Sequence, residues 1–276
     1  MLAGKMAASQ VYPRYHYYSS YIDNVSREKL ILENGLRKAI KSDEFRIYYQ
    51  PIMDADGKMV SAEALLRWEH PNAGLVSPVL FIDLAEEVDL IIPIGDWVIC
   101  QVAESIPKFC AKYGDDFKIA INISIRQLRS SHFVNKVSEI IDTYKVNPGN
   151  FIFEITENML LENGAFSESV LQSLCDLGIE LVLDDFGTGY SSLSYLKKFP
   201  ISKLKIDKSF VHDIVEKESD AELVRAIIHL AQTLGVKTVA EGVETEKQKD
   251  ILIAGGIDFL QGYYFGHPDR IETYLP

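Results

Sequence analysis

Residues 181–190 read Leu181-Val182-Leu183-Asp184-Asp185-Phe186-Gly187-Thr188-Gly189-Tyr190, or LVLDDFGTGY. An apolar run with strand character ends in two adjacent carboxylates, and two glycines follow. An ionised carboxylate in an apolar site costs several kcal/mol or more, so its pKa shifts or it finds a cation. Two in sequence either reach solvent at a strand end or share something positive.

The segments on either side set the frame. ESVLQSLCDLG precedes the strand with helical spacing, SSLSYLKKF follows it, and KLKID (203–207) is the next strand candidate. The same alternation runs outward in both directions. Further strand candidates are FRIYYQPIM (45–53), VSAEALLRW (60–68), FKIAINIS (117–124), FIFEITE (151–157), KTVAEGVE (237–244) and DFLQGYYF (258–265). Amphipathic runs such as LFIDLAEEVDLI, WVICQVAESIPKFCAKY, VNKVSEIIDTY, AELVRAIIHLAQTLG and EKQKDILIAGG separate them. About eight strands alternating with helices predict a (β/α) barrel, with an open doubly wound sheet as the alternative. The first two strands are joined only by DADGK, which predicts an antiparallel hairpin.

Composition bounds the class. The chain has 276 residues, 47% hydrophobic, enough for one large α/β domain or two ordinary ones. Its apolar runs fall well short of the ~20 residues a membrane span needs. The first twenty residues lack the continuous apolar core of a signal peptide. Cys100, Cys110 and Cys175 have no C-x-x-C spacing, so a cytoplasmic location without disulfides is expected. A net charge of −12 argues against duplex nucleic acid as a partner, but it leaves open a small anion held by local cations. Residues 1–27, rich in Tyr and Ser, read as a tail or linker before a domain at 28–276.

Polar residues interrupt the strand candidates in a pattern. Glu63, Asn122, Glu154, Asp184 with Asp185, Lys205, Glu241 and Gln261 come from seven different strands. At the C-terminal strand ends of a parallel barrel such residues meet at one mouth. Five carboxylates against one lysine favour two divalent cations, though partial solvation or raised pKa values would also balance the charge. The donors are all oxygen, which suits Mg²⁺ or Mn²⁺ rather than zinc. Paired hard cations suit displacement at phosphorus, where Lys205 can orient the attacking water and Arg67 can fork onto phosphate oxygens. The DFG at 185–187 lacks the other kinase motifs, and GTGYSS lacks a dinucleotide fingerprint. It reads as a turn into a helix capped by Ser191 or Ser192.

Taken together, YQPI (49–52), EALLRWEHP (63–71), INIS (121–124), FEITE (153–157), LDDFGTGYSSLSYL (183–196), LKIDKSF (204–210), AEGVET (240–245) and QGYYFGHP (261–268) resemble the EAL domain family. The resemblance covers about residue 28 to the C-terminus. It implies a modified TIM barrel with an antiparallel first strand. It also implies hydrolysis of cyclic di-GMP to linear 5′-pGpG with two Mg²⁺ or Mn²⁺. By the same resemblance Glu63, Asn122, Glu154 and Asp184 would ligate one metal and Asp185 the second. Lys205 would position water, Glu241 would serve as base with metal contact, and Gln261 would support a ligand or the water. Gln50, Leu66, Arg67, Asp207 and Pro268 are implied in substrate binding, and Glu157 and Glu244 as anchors of the loop after the fifth strand candidate, the one that ends in Asp184 and Asp185. A homodimer and an upstream sensory or GGDEF domain are implied as partners. The alternative in the same family is an inactive domain that only binds cyclic di-GMP.

Overall fold

The computed structural model describes residues 30, 32–161, 164–187 and 198–275. Its framework is one nine-stranded sheet: β1 (Phe45–Asp54), β2 (Met59–His70), β3 (Gly74–Val76), β4 (Lys118–Asn122), β5 (Phe151–Thr156), β6 (Glu180–Phe186), β7 (Lys203–Ile206), β8 (Lys237–Ala240) and β9 (Phe259–Gln261). The strand order is β1-β9-β8-β7-β6-β5-β4-β2-β3, and pairing of β1 with β2 closes eight of these strands into a barrel. β1 runs antiparallel to both β2 and β9, while the steps from β2 through β4 to β9 are parallel. The fold is therefore a modified α/β TIM barrel with an antiparallel first strand, not an open doubly wound sheet.

The reversal follows from local chemistry at the first turn. Asp54 Oδ1 accepts from the backbone amides of Asp56 and Lys58 at 3.1 and 2.8 Å. Gly57 supplies the positive φ of 82° that this turn requires. Five residues closed this way leave no room for a crossover helix, so β2 must run back along β1.

Period-two alternation then sorts the side chains. Ile119, Ile121, Phe151, Phe153, Leu181, Leu183 and Leu204 belong to the large core between the sheet and its helices, while Ala120, Ile152 and Val182 form a separate small cluster on the other face. Asn122, Glu154 and Asp184 each stand two residues beyond a member of that small cluster, so they line the barrel interior above an apolar floor. The long helix Ile91–Tyr113 and the helices Phe133–Tyr144 and Glu218–Leu234 bury apolar faces against the outside.

Several expected elements are shorter or divided. The run 80–91 is a 3₁₀ turn (Pro78–Leu80) and a helix (Ile82–Glu87) that stops near Asp89, which has φ 57°. β8 ends at Ala240, and Gly242 turns the chain away with φ 68°. The short strand β3, paired to β2 outside the barrel, has no counterpart among the strand candidates. Ser191 and Ser192, the expected caps, lie outside the described residues.

Candidate active site

Each parallel strand delivers a polar side chain to the same end of the barrel, and Lys205 sits where they meet. Its Nζ lies 2.6 Å from Glu241 Oε1, 3.0 Å from Glu154 Oε2, 3.3 Å from Glu63 Oε2 and 3.6 Å from Asp184 Oδ1. Lys205 is 1% exposed, a burial that would neutralise an unpaired lysine. Burial does pull its pKa down, but Glu154, Glu241, Glu63 and Asp184 outweigh it and hold the group well above the ordinary lysine range.

Glu63 is the hub of the amide contacts. Asn122 Nδ2 donates to its Oε1 at 2.7 Å, and Gln261 Nε2 donates to its Oε2 at 2.6 Å. Gln261 also donates to Gln50 Oε1 at 3.2 Å, and Gln50 donates to the carbonyl of Gly266 at 3.3 Å. Burial works against ionisation of Glu63, yet Lys205 and these amides keep its pKa below the ordinary carboxylate value. Glu154 goes the other way: burial pushes it well up, and Glu63 and Asp184 add to the effect against Lys205. Burial likewise raises Glu241, to about 7, with Lys205 opposing.

The Asp184–Asp185 pair answers the question raised by LVLDDFGTGY. Successive strand residues normally face opposite sides, which would send Asp185 out of the barrel. The register of β6 on β7 shifts by one residue between Leu183 and Phe186, a bulge that re-aims side chains. Asp185 takes φ 55° there, a left-handed conformation that Asp tolerates better than most residues. Its amide donates to Asp184 Oδ1 at 2.9 Å. As a result Asp184, Asp185 and Glu241 can each offer an oxygen within 4.8 Å of the others. Burial raises the pKa of Asp185, with Asp184 and Asp207 adding to it.

The remaining expected residues divide. Arg67 lies beside this cluster on β2, its guanidinium donating to the Leu66 carbonyl at 2.9 Å and standing 5.7 Å above the Tyr48 ring. Tyr48 carried no signal in the sequence, being one of many tyrosines near the N-terminus. Leu66 is half-buried. Pro268 is brought toward Gln50 because Tyr49 and Asp269 pair through both backbone hydrogen bonds, at 2.7 and 3.0 Å. Asp207 caps the short helix Lys208–Val211, accepting from the Ser209 amide at 2.9 Å. Glu157 is buried at the start of the helix Glu157–Leu161. Glu244 is exposed, and its amide donates to Gln248 Oε1 at 2.8 Å. The loop these two glutamates were expected to anchor falls mainly at 188–197, outside the described residues.

The donor set fits a hard divalent ion. The candidate ligand atoms at the mouth are carboxylate and amide oxygens, and Gln261 Oε1 is buried without a hydrogen-bond partner. One ammonium among five carboxylates leaves anionic charge, which the raised pKa values of Glu154, Asp185 and Glu241 register.

The sequence profile of the EAL domain matches residues 33–268. The chain belongs to the EAL domain family. It is 43% identical over 262 residues to the signaling protein YkoW of Bacillus subtilis, covering 95% of this chain and 33% of that protein. It is 42% identical over 241 residues to the cyclic di-GMP phosphodiesterase PdeR of Escherichia coli, covering 87% and 36% respectively. The chain thus spans about a third of the length of these relatives. Among solved EAL structures, that of the MucR phosphodiesterase of Pseudomonas aeruginosa in complex with c-di-GMP superposes with a TM-score of 0.85. Sequence identity there is 39%, covering 89% of this chain and all of that one. Among the described residues, no helix is long and apolar enough to cross a membrane.

Proposed function

We propose that this EAL domain hydrolyses cyclic di-GMP to linear 5′-pGpG with the help of two divalent cations, Mg²⁺ or Mn²⁺. The observation that carries this reading is the convergence of Glu63, Glu154, Asp184 and Glu241 on Lys205 within 3.6 Å. Its support from relatives is the cyclic di-GMP phosphodiesterase PdeR and the c-di-GMP complex of MucR.

Glu63, Asn122, Glu154 and Asp184 would hold one ion and Asp185 the second, with Glu241 near both. When bound, such ions activate water and stabilise the oxygen that leaves phosphorus. The chain's own residues do the rest. Lys205 places an ammonium beside the point of attack, where it orients water and offsets charge developing on phosphorus. Glu241, with a pKa near 7, is matched to accept the proton of that water. Gln261 holds Glu63 in place by its 2.6 Å hydrogen bond. Arg67, with Gln50, Leu66, Asp207 and Pro268, would bind the dinucleotide at the rim. Water adds to one phosphorus, the P–O3′ bond breaks, and a 5′-phosphate and a 3′-hydroxyl result.

The buried, fully assembled lysine and carboxylate set favours turnover over a receptor that only binds the dinucleotide. A homodimer, a cytoplasmic location, and an upstream sensory or GGDEF domain complete the reading. Incubation of the purified chain with cyclic di-GMP and Mn²⁺, followed by chromatography, tests it. Accumulation of pGpG supports hydrolysis, whereas saturable binding with intact dinucleotide would assign the chain to the receptor class.

A further inference from the structure

The opposite mouth of the barrel is basic. Lys118, Lys203 and Lys237 are the first residues of β4, β7 and β8, so all three project at the N-terminal strand ends. Lys203 and Lys237 are register partners on adjacent parallel strands. Their ammonium groups stand 5.0 and 5.5 Å from the centre of the same ring, Phe259. Like charges placed side by side on a sheet repel.

One carboxylate, Glu180 at the start of β6, serves two of the three. It lies 2.5 Å from Lys118 Nζ and 2.8 Å from Lys203 Nζ, and it also accepts from Ser202 Oγ at 2.8 Å. Among the described residues Lys237 has no carboxylate within 4.0 Å. Burial lowers the pKa of Lys203, and Lys118 and Lys237 lower it further against the pull of Glu180. A cavity of about 530 Å³ opens between these side chains, with Ser202 and Phe259 on its wall and Asp116 also lining it. That volume lies within the range of small-ligand sites. In a chain of net charge −12, an excess of ammonium groups around a cavity calls for an anion.

We propose that this mouth is a second site, separate from the acidic one, that binds a small phosphorylated anion between Lys203 and Lys237. A phosphate group there would accept from both ammoniums, and it would relieve the repulsion between the two lysines. The site does not depend on the hydrolytic reading of the other mouth.

Calorimetric titration of the whole chain with inorganic phosphate and with pyrophosphate, in EDTA at low salt, tests the proposal. Saturable binding of at least one probe is expected. It should weaken on the order of tenfold in Lys237→Gln, the loss of one charge-assisted contact, while Lys237→Arg retains it. Lys237 is exposed, so both variants should fold, which circular dichroism checks. Glu63→Gln should bind like the wild type, because its side chain lies at the other mouth. Absence of saturable binding, equal binding by Lys237→Gln and wild type, or loss of binding in Glu63→Gln would each overturn it.

Discussion

Lys205 Nζ lies 2.6 Å from Glu241 Oε1, the shortest of its four carboxylate contacts. The pair joins adjacent structure in the barrel: Lys205 is on β7, and Glu241 follows directly after β8, its amide bonded to the Ile206 carbonyl at 3.1 Å. Placing a proton acceptor and a fixed ammonium on one short link is what the proposed chemistry requires of them.

Replacing Lys205 with methionine keeps the length of the side chain and removes the charge. Turnover of cyclic di-GMP should fall by roughly 10²- to 10³-fold, the usual loss when one group stabilising developing charge is deleted. Steady-state kinetics should show the loss in kcat, with KM changed little, because Lys205 lies beneath the rim residues proposed to bind substrate. A wild-type kcat would remove the lysine from the mechanism.

Glu63→Gln is nearly isosteric but removes a charged ligand and rearranges the contacts to Asn122 and Gln261. Manganese affinity, read by calorimetry, should drop at least about tenfold, and product formation should disappear with it. Unchanged manganese binding would mean that Glu63 serves the hydrogen-bond network alone.

Glu180 links the pH dependence of stability to the basic mouth. Burial opposes its ionisation, but Lys203, Lys118 and Ser202 overcome this and hold its pKa at about 2, against an ordinary 4.5. A carboxylate depressed in the folded state contributes stability above its unfolded value and loses it as pH falls toward the folded one. The carboxylate alone would contribute on the order of 3 kcal/mol, and desolvation of Lys203 takes part of this back. Glu180→Gln should therefore unfold more easily than the wild type at pH 7 in urea, and the gap should narrow between about pH 5 and pH 2. A gap independent of pH would show that the ion pairs add nothing net.

Gly262 holds β9 against the segment that carries Glu241. A Cβ there would lie 2.1 Å from the Val243 carbonyl oxygen and 2.2 Å from its amide nitrogen, and neither backbone atom can rotate away. Val243 in turn donates to the Gln261 carbonyl at 3.0 Å and accepts from the Tyr264 amide at 3.0 Å. Gly262→Ala should cost about 3 kcal/mol or more in urea unfolding. A cost below about 1 kcal/mol would mean that this junction yields.

Much of this was legible in the sequence because barrel strands expose their periodicity. Apolar side chains on alternate positions of β4 to β7 mark the core face, so Asn122, Glu154, Asp184 and Lys205 stand out as polar residues on the other face. The DADGK turn announced the antiparallel first strand through Asp54 and Gly57. Other features left no trace. The bulge that turns Asp185 inward is a matter of backbone register, which the residue types at 185–186 do not announce. β3 is three residues long, too short for any period. The sequence brought five carboxylates and Lys205 to one mouth, but which of them contact the lysine directly depends on long-range closure. The basic mouth went unseen because Lys118, Lys203 and Lys237 each resemble a solvated strand end.

An anomalous difference map from crystals grown with manganese tests the metal account most directly. It should show two peaks at the C-terminal mouth of the barrel. One should be coordinated by Glu63, Asn122, Glu154 and Asp184, and the other by Asp185. A map with no peak at that mouth, or with Glu63 and Glu154 still turned to Lys205 and away from any ion, would contradict the account.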